Sequence, residues 1–177
     1  MKAKDNQKKF EIELNKVPIK WVLDKGTFNF FGIDSALFWV KPSLLNMLRP
    51  MADELGHDIF RLMLAYSSSQ GTYEDYHSIV TTLGRNFEEG FVAWGKAVST
   101  AGWGIFELPY IDHDKKEAIV IIKNTWELIL QEKVKKPWGC PFIQGKIIGI
   151  FSHAFEVSCW ADEIEINYNS DDNYVKF

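Results

Sequence analysis

Apolar residues change their spacing several times along this chain, and each change marks an expected element. Phe10-Glu11-Ile12-Glu13-Leu14 alternates apolar and polar positions, the period of a half-buried strand. Ile19 to Leu23 and Thr27 to Phe31 flank Asp24-Lys25-Gly26, which predicts a hairpin. Ala36 to Val40 reads as another short strand, and the charged residues 1–9 are expected to be mobile.

The period then lengthens. Leu44, Leu48, Met51, Leu55, Ile59 and Leu62 recur at helical spacing. Pro42 suits a first helical turn, where a missing N–H costs little, and Pro50 predicts a kink or two abutting helices. Ser67-Ser68-Ser69-Gln70-Gly71 reads as a break. Ile79, Leu83, Phe87, Phe91, Trp94 and Val98 then predict one long helix over about residues 73–100, ended by Gly102-Trp103-Gly104. Ile105 to Ile111 and Ala118 to Ile122 predict two strands joined by the charged turn Asp112 to Lys116, and the wholly apolar second run suits a central strand. Asn124 or Thr125 can cap a short helix starting near Trp126. Lys133 to Pro137 reads as a loop, Phe142 to His153 as a helix, Phe155 to Tyr168 as an alternating strand, and Tyr174 to Phe177 as a strand pairing back. Helices lying between two groups of strands, the later ones antiparallel, give an α+β fold. The run Tyr174 to Phe177 carries no polar tail, so the chain is expected to be the N-terminal module of a longer protein.

Charge and composition narrow the partners. The 177 residues fit one domain with a small N-terminal addition. The net charge is -4. The lysines at 2, 4, 8 and 9 and at 133, 135 and 136 form short clusters rather than a basic face, which argues against nucleic acid. No apolar run reaches the roughly 18 residues of a membrane span, and the polar start lacks a signal core, so a cytoplasmic location is expected. Two cysteines make no disulfide framework. Aromatic residues make up 15%, including seven Trp, more large rings than folding alone demands; rings around one core often leave a slot for a flat, apolar ligand.

One stretch joins these strands of argument: Cys140-Pro141-Phe142, Gly145 and Gly149, then Glu156-Val157-Ser158-Cys159. Two glycines four apart on an apolar helix allow close packing. In order, the landmarks are the Leu44–Leu64 helix with Gly56, the Gly71 break, a long helix, Gly102-Trp103-Gly104, a strand pair followed by Asn124-Thr125, and the cysteine-bearing stretch. Over roughly residues 36–177 this order resembles the 4-vinyl reductase domain family, within the superfamily of ligand-binding domains in nitric-oxide signalling and Golgi transport that includes TRAPP vesicle-tethering subunits. The resemblance implies an α/β plait, with an antiparallel sheet packed on long helices and residues 1–35 as a hairpin extension. It implies a homodimer that binds a small hydrophobic or aromatic molecule without catalysis and signals to a downstream effector, as in sensor modules of bacterial transcriptional activators or ahead of cyclic-dinucleotide enzymes. The alternative is a dimeric interaction module like the tethering relatives. Phe91, Trp94, Trp103, Phe106, Trp126, Trp138 and Phe142 flank the helix–strand junctions where the family would place its ligand, and each could equally be plain core. Some members hold zinc with Cys and Glu side chains. The chain departs from them about eight residues past Glu156-x-x-Cys159, where Ile166-Asn167-Tyr168 offers no thiol.

The residue types Cys140, His153, Glu156 and Cys159 suit zinc, but on a continuous strand Glu156 and Cys159 would face opposite sides. The other reading is two inert buried cysteines. No protease signature surrounds either thiol. Glu88-Glu89 and Asp162, Glu163 and Glu165 read as solvated faces rather than acid–base pairs. Gly102-x-Gly104 lacks the third glycine and following helix of a dinucleotide loop and reads as a tight junction. No catalytic constellation and no organic cofactor site emerges.

Overall fold

Residues 9–14, 17–169 and 171–177 are described by a computed structural model of the chain. The expectation for residues 1–9 therefore lies almost entirely outside the described residues, as does the side chain of Ile79. Contacts divide the chain into two compact units, residues 1–38 and 39–177.

The first unit is an antiparallel meander. Strands β1 (Lys9–Leu14), β2 (Val17–Val22), β3 (Thr27–Phe30) and β4 (Ile33–Ser35) pair in sequence order. The expected hairpin forms around Gly26, whose φ of 64° requires a residue without Cβ strain. Trp21 faces Phe28 across β2 and β3, with ring centroids 5.2 Å apart. Residues 36–39 are not a strand: β4 has already ended at Ser35, and the chain turns helical at Val40.

The second unit opens with a π-helical turn, Val40–Leu45, running into α1 (Asn46–Leu55). Pro50 sits inside α1, and the break falls later at Gly56, where φ 77° and ψ 147° end the helix. Helix α2 (His57–Gln70) passes straight through the serine run. The break comes only at its last residue, Gly71, which caps α2, because the serine hydroxyls find partners without unwinding the backbone: Ser68 Oγ donates to the Phe142 carbonyl at 2.7 Å and Ser69 Oγ to the Tyr66 carbonyl.

The expected long helix is instead several pieces. Helix α3 (Thr72–Glu74), a π turn (Asp75–Val80) and α4 (Thr81–Leu83) precede α5 (Phe87–Thr100). The interruption is an N-cap that periodicity hides: Asn86 Oδ1 accepts the Glu89 N–H at 2.9 Å. Gly84 and Gly90 sit so close that a Cβ on Gly84 would lie 2.5 Å from Gly90 Cα.

Strands β5 (Ile105–Asp112) and β6 (Glu117–Lys123) lead into α6 (Trp126–Gln131), α7 (Pro141–Phe155), β7 (Glu165–Asn167) and β8 (Tyr174–Lys176). Thr125 occupies the N-cap position of α6 but makes no side-chain cap bond. The expected strand over 155–168 shrinks to β7, because α7 continues to Phe155 and Glu156 closes it in the left-handed region at φ 55°.

The sheet order is β5-β6-β8-β7, all antiparallel, so the apolar run of β6 is central as expected. Its register puts Phe106, Ile122, Val175 and Ile166 in one row on one face. The next row, Glu107, Ile121, Lys176 and Glu165, takes the other face, where Lys123 Nζ meets Glu107 Oε1 at 2.7 Å. The apolar face carries the helices, and Phe106 meets Trp94 of α5. Pro109 falls where the β5 register shifts, as suits an edge strand. The architecture is α+β.

Candidate functional site

Helix α7 is apolar around most of its circumference and buried along most of its length. One side meets α2 almost backbone to backbone: a Cβ on Gly145 would overlap the Ala65 carbonyl oxygen, and one on Gly149 would lie 2.7 Å from the Ser69 carbonyl oxygen. The glycine pair four apart is therefore a helix-crossing device. The opposite side presents Ile147, Phe151 and Phe155 at four-residue steps toward the sheet.

Between that stripe and the sheet lies a cavity of about 260 Å³. Val120 and Phe177 come from the strands, Ile147, Phe151 and Phe155 from α7, and Cys159, Trp160, Asp162 and Ile164 from the following segment. Val120, Ile147, Phe151, Phe155 and Phe177 are buried and apolar, whereas Glu117 of β6 is exposed and Trp160 remains 57% exposed. Polar groups also line the cavity: the Trp160 Nε1–H donates to Asp162 Oδ1 at 3.1 Å, and Lys116 Nζ lies 5.9 Å from the Phe155 ring centroid. Such a volume is just below the roughly 300–1,000 Å³ typical of drug-sized ligand sites.

Six of the seven aromatic residues singled out in the sequence form one continuous ring network. Phe106 and Phe91 flank Trp94 at 5.0 and 5.5 Å, Trp103 joins Trp94 to Phe142, and Phe142 meets Trp126. Trp138 belongs to a neighbouring cluster with Leu48, Ala52, Phe60 and Leu130. None of the seven lines the cavity, but Phe91 stands behind it, 5.4 Å from Phe151. Sequence reasoning missed Phe151 and Phe155; their spacing with Ile147 on one helix face was the available signal.

The N-terminus of α7 is held by two carboxylates from elsewhere. Glu127 of α6 accepts the N–H groups of Phe142 and Ile143 at 3.0 and 2.8 Å. Glu163 accepts the Cys140 N–H and pairs with Arg61 Nη2 of α2 at 2.6 Å. Glu127 is fully buried, and loss of water pushes its carboxyl up to about 8 against the opposing pull of the two N–H groups. Burial, then the charges of Glu127 and Glu163, push the Cys140 thiol up. Gln131 completes the network, donating to the Glu127 and Gly139 carbonyls and accepting from Trp138 N–H.

The four zinc candidates do not converge. Cys140 lies at the start of α7 and His153 in its last turn, about 20 Å apart at 1.5 Å per residue. Glu156 is the exposed helix C-cap, and the Cys159 thiol donates to the Val157 carbonyl at 3.6 Å. Beside Cys140 the carboxylate is Glu163, already matched by Arg61. Among the described residues no group of three or more His, Cys, Asp or Glu side chains is placed to hold a metal ion. The zinc arrangement of the resembling family does not fit this set.

Among the described residues no helix is long and apolar enough to cross a membrane. No family model matches the chain, and no curated protein sequence matches it. Among solved structures the chain is similar to the phenol-responsive sensory domain of the transcription activator PoxR, crystallised with phenol. The two are 14% identical, the match covers 89% of this chain and 83% of that one, and the TM-score is 0.70. At that identity the likeness is one of fold.

Proposed function

We propose that this chain is the sensory input module of a regulatory protein, binding a compact aromatic or apolar molecule in the cavity between α7 and the sheet. The observation that carries the reading is the cavity itself: apolar walls from Val120, Phe151, Phe155 and Phe177, with polar groups at the segment that covers it. The shared fold with a phenol-responsive sensory domain supports the same class of role, as does the sequence resemblance to 4-vinyl reductase domains. The module is non-catalytic and cytoplasmic, and ligand binding shifts its population toward a state read by a downstream effector.

The test is thermal stabilisation by a panel of phenol, cresols, catechol, benzoate and medium-chain fatty acids, followed by calorimetry on the best. A ligand at a hundred times its Kd should add about 2.7 kcal/mol of stability. Ala118→Trp, which places an indole from the cavity wall into the void, should abolish the effect while the protein stays folded. No stabilisation by any member, or equal stabilisation of Ala118→Trp, would sink the cavity as the binding site.

A second reading, an interaction module paired with another copy of itself, draws on a separate observation. Met47 and Met51 on α1 and Ile59, Leu62, Met63 and Tyr66 on α2 are all exposed, repeating along the helices. Single exposed apolar residues are ordinary, but a patch beyond a few hundred Å² marks an interface, and a stable dimer needs roughly 800 Å² per partner. Light scattering of the wild type against Leu62→Lys decides whether this stripe holds a dimer.

A further inference from the structure

Four rings meet where the segment Thr72–Leu83 lies against the C-terminal half of α7. Tyr76 and His77 belong to the π turn Asp75–Val80, Tyr73 precedes it, and His153 stands in the last turn of α7. The His77 and His153 centroids are 5.8 Å apart, with their planes at 69°. Tyr76 stacks on His153 at 5.3 Å and meets His77 at 5.1 Å. Tyr73 lies 4.3 Å from His77 and 6.0 Å from His153. The two imidazoles thus occupy opposite corners of a quadrilateral whose other corners are tyrosines.

The π turn sharpens the observation. Such turns are rare and are frequently found at functional sites. On an α-helix, neighbours one residue apart do not face the same partner. Here adjacent Tyr76 and His77 both meet His153.

We propose that His77 and His153 form a two-histidine site for a borderline divalent transition cation of the zinc, copper or nickel type. Imidazole nitrogen suits these ions, whereas calcium and magnesium take oxygen ligands. A metal–nitrogen bond of about 2.0–2.1 Å plus a ring radius of about 1.1 Å puts a shared cation ~3.2 Å from each centroid. With one nitrogen of each ring turned toward a shared cation, centroids 5.8 Å apart subtend roughly 130° at the ion, and a closer approach of the rings brings this to the tetrahedral ~109°. Both histidines are exposed, so they can rotate and water can complete the shell. With two protein ligands the site is open and exchangeable, and a bound ion ties the π turn to α7.

The test uses the chain with any purification tag removed, stripped with EDTA and titrated with zinc chloride by calorimetry near pH 7.5. One ion per chain is expected, with zinc raising Tm. Affinity should fall at least about tenfold in His77→Ala and in His153→Ala. Cys159→Ser should keep full affinity. Copper(II) bound to the wild type should show two nitrogen couplings by electron paramagnetic resonance. His153→Gln substitutes if the metal-free Tm shows that His153→Ala does not fold. Absence of saturable binding below about 1 mM zinc, undiminished affinity in either histidine variant, or loss of binding in Cys159→Ser would overturn the proposal and leave the four rings as aromatic packing.

Discussion

Replacing Gly145 with alanine tests whether α2 and α7 truly touch along their backbones. The new Cβ would overlap the Ala65 carbonyl oxygen and stand 2.7 Å from Ser68 Cβ and 3.0 Å from the Ala65 carbonyl carbon. Carbon atoms rest at about 3.5–4.0 Å, so the helices must part by roughly 1 Å. Parting them also strains the 2.7 Å bond from the Ser68 hydroxyl to the Phe142 carbonyl. Overpacking of this kind costs about 1–3 kcal/mol and the weakened hydrogen bond about 1, while alanine's better helix propensity returns about 1. The net loss is about 1–3 kcal/mol. For a chain of 177 residues that lowers Tm by about 2–12 °C, at roughly 2–4 °C per kcal/mol. Thermal and urea unfolding measure it, with Gly71→Ala as the internal control. At Gly71 the nearest atom to a Cβ is Lys146 Nζ at 3.7 Å and φ is -86°, so that substitution should leave stability within about 0.5 kcal/mol. A Gly145→Ala protein at least as stable as the wild type would refute the backbone contact.

Glu127 makes stability depend on pH. Its carboxyl is pushed up to about 8, so the folded state keeps a proton that the unfolded chain has released. That contribution is complete below about 4.5 and is lost as pH rises through about 8, so urea midpoints should fall between pH 5 and 9, and fall less steeply in Glu127→Gln. Arg61→Ala leaves Glu163, with a side chain 8% exposed, without its cation. The loss should be about 2 kcal/mol in denaturant unfolding, below the ~3–5 of a fully buried pair because Arg61 is partly solvated. Asn86→Ala removes the cap of α5 and should cost about 1 kcal/mol, while Asn86→Asp keeps most of it.

Elements with a strong period were legible in the sequence. The alternation in β1, the turn at Asp24-Lys25-Gly26 and the apolar run of β6 all fold as their patterns dictate. Interruptions were harder to place. Ser67–Gly71 looks like a break by composition, yet Ser68 is buried in a helix because Phe142, far along the chain, accepts its proton. The alternation after Phe155 is genuine, but only β7 finds a strand to pair with, and an extended segment without a ladder is coil. At the site, counting rings found Trp94 and its neighbours but not the cavity, which depends on how α7 sits over Val120. The Arg61–Glu163 pair has no local signature at all, since the two residues meet only once α2 and α7 cross.

The way α7 begins has a consequence for hydrogen exchange. The first N–H groups of a helix ordinarily have no partner and exchange with solvent deuterium as fast as a loop. Here Pro141 has no N–H, and those of Cys140, Phe142 and Ile143 are bound by Glu163 and Glu127. These three amides should therefore exchange as slowly as those of the helix interior. They become accessible only when α6 or the segment carrying Glu163 comes away, so the first turn of α7 serves as a built-in clock for that opening, whether or not the rest of the unit unfolds.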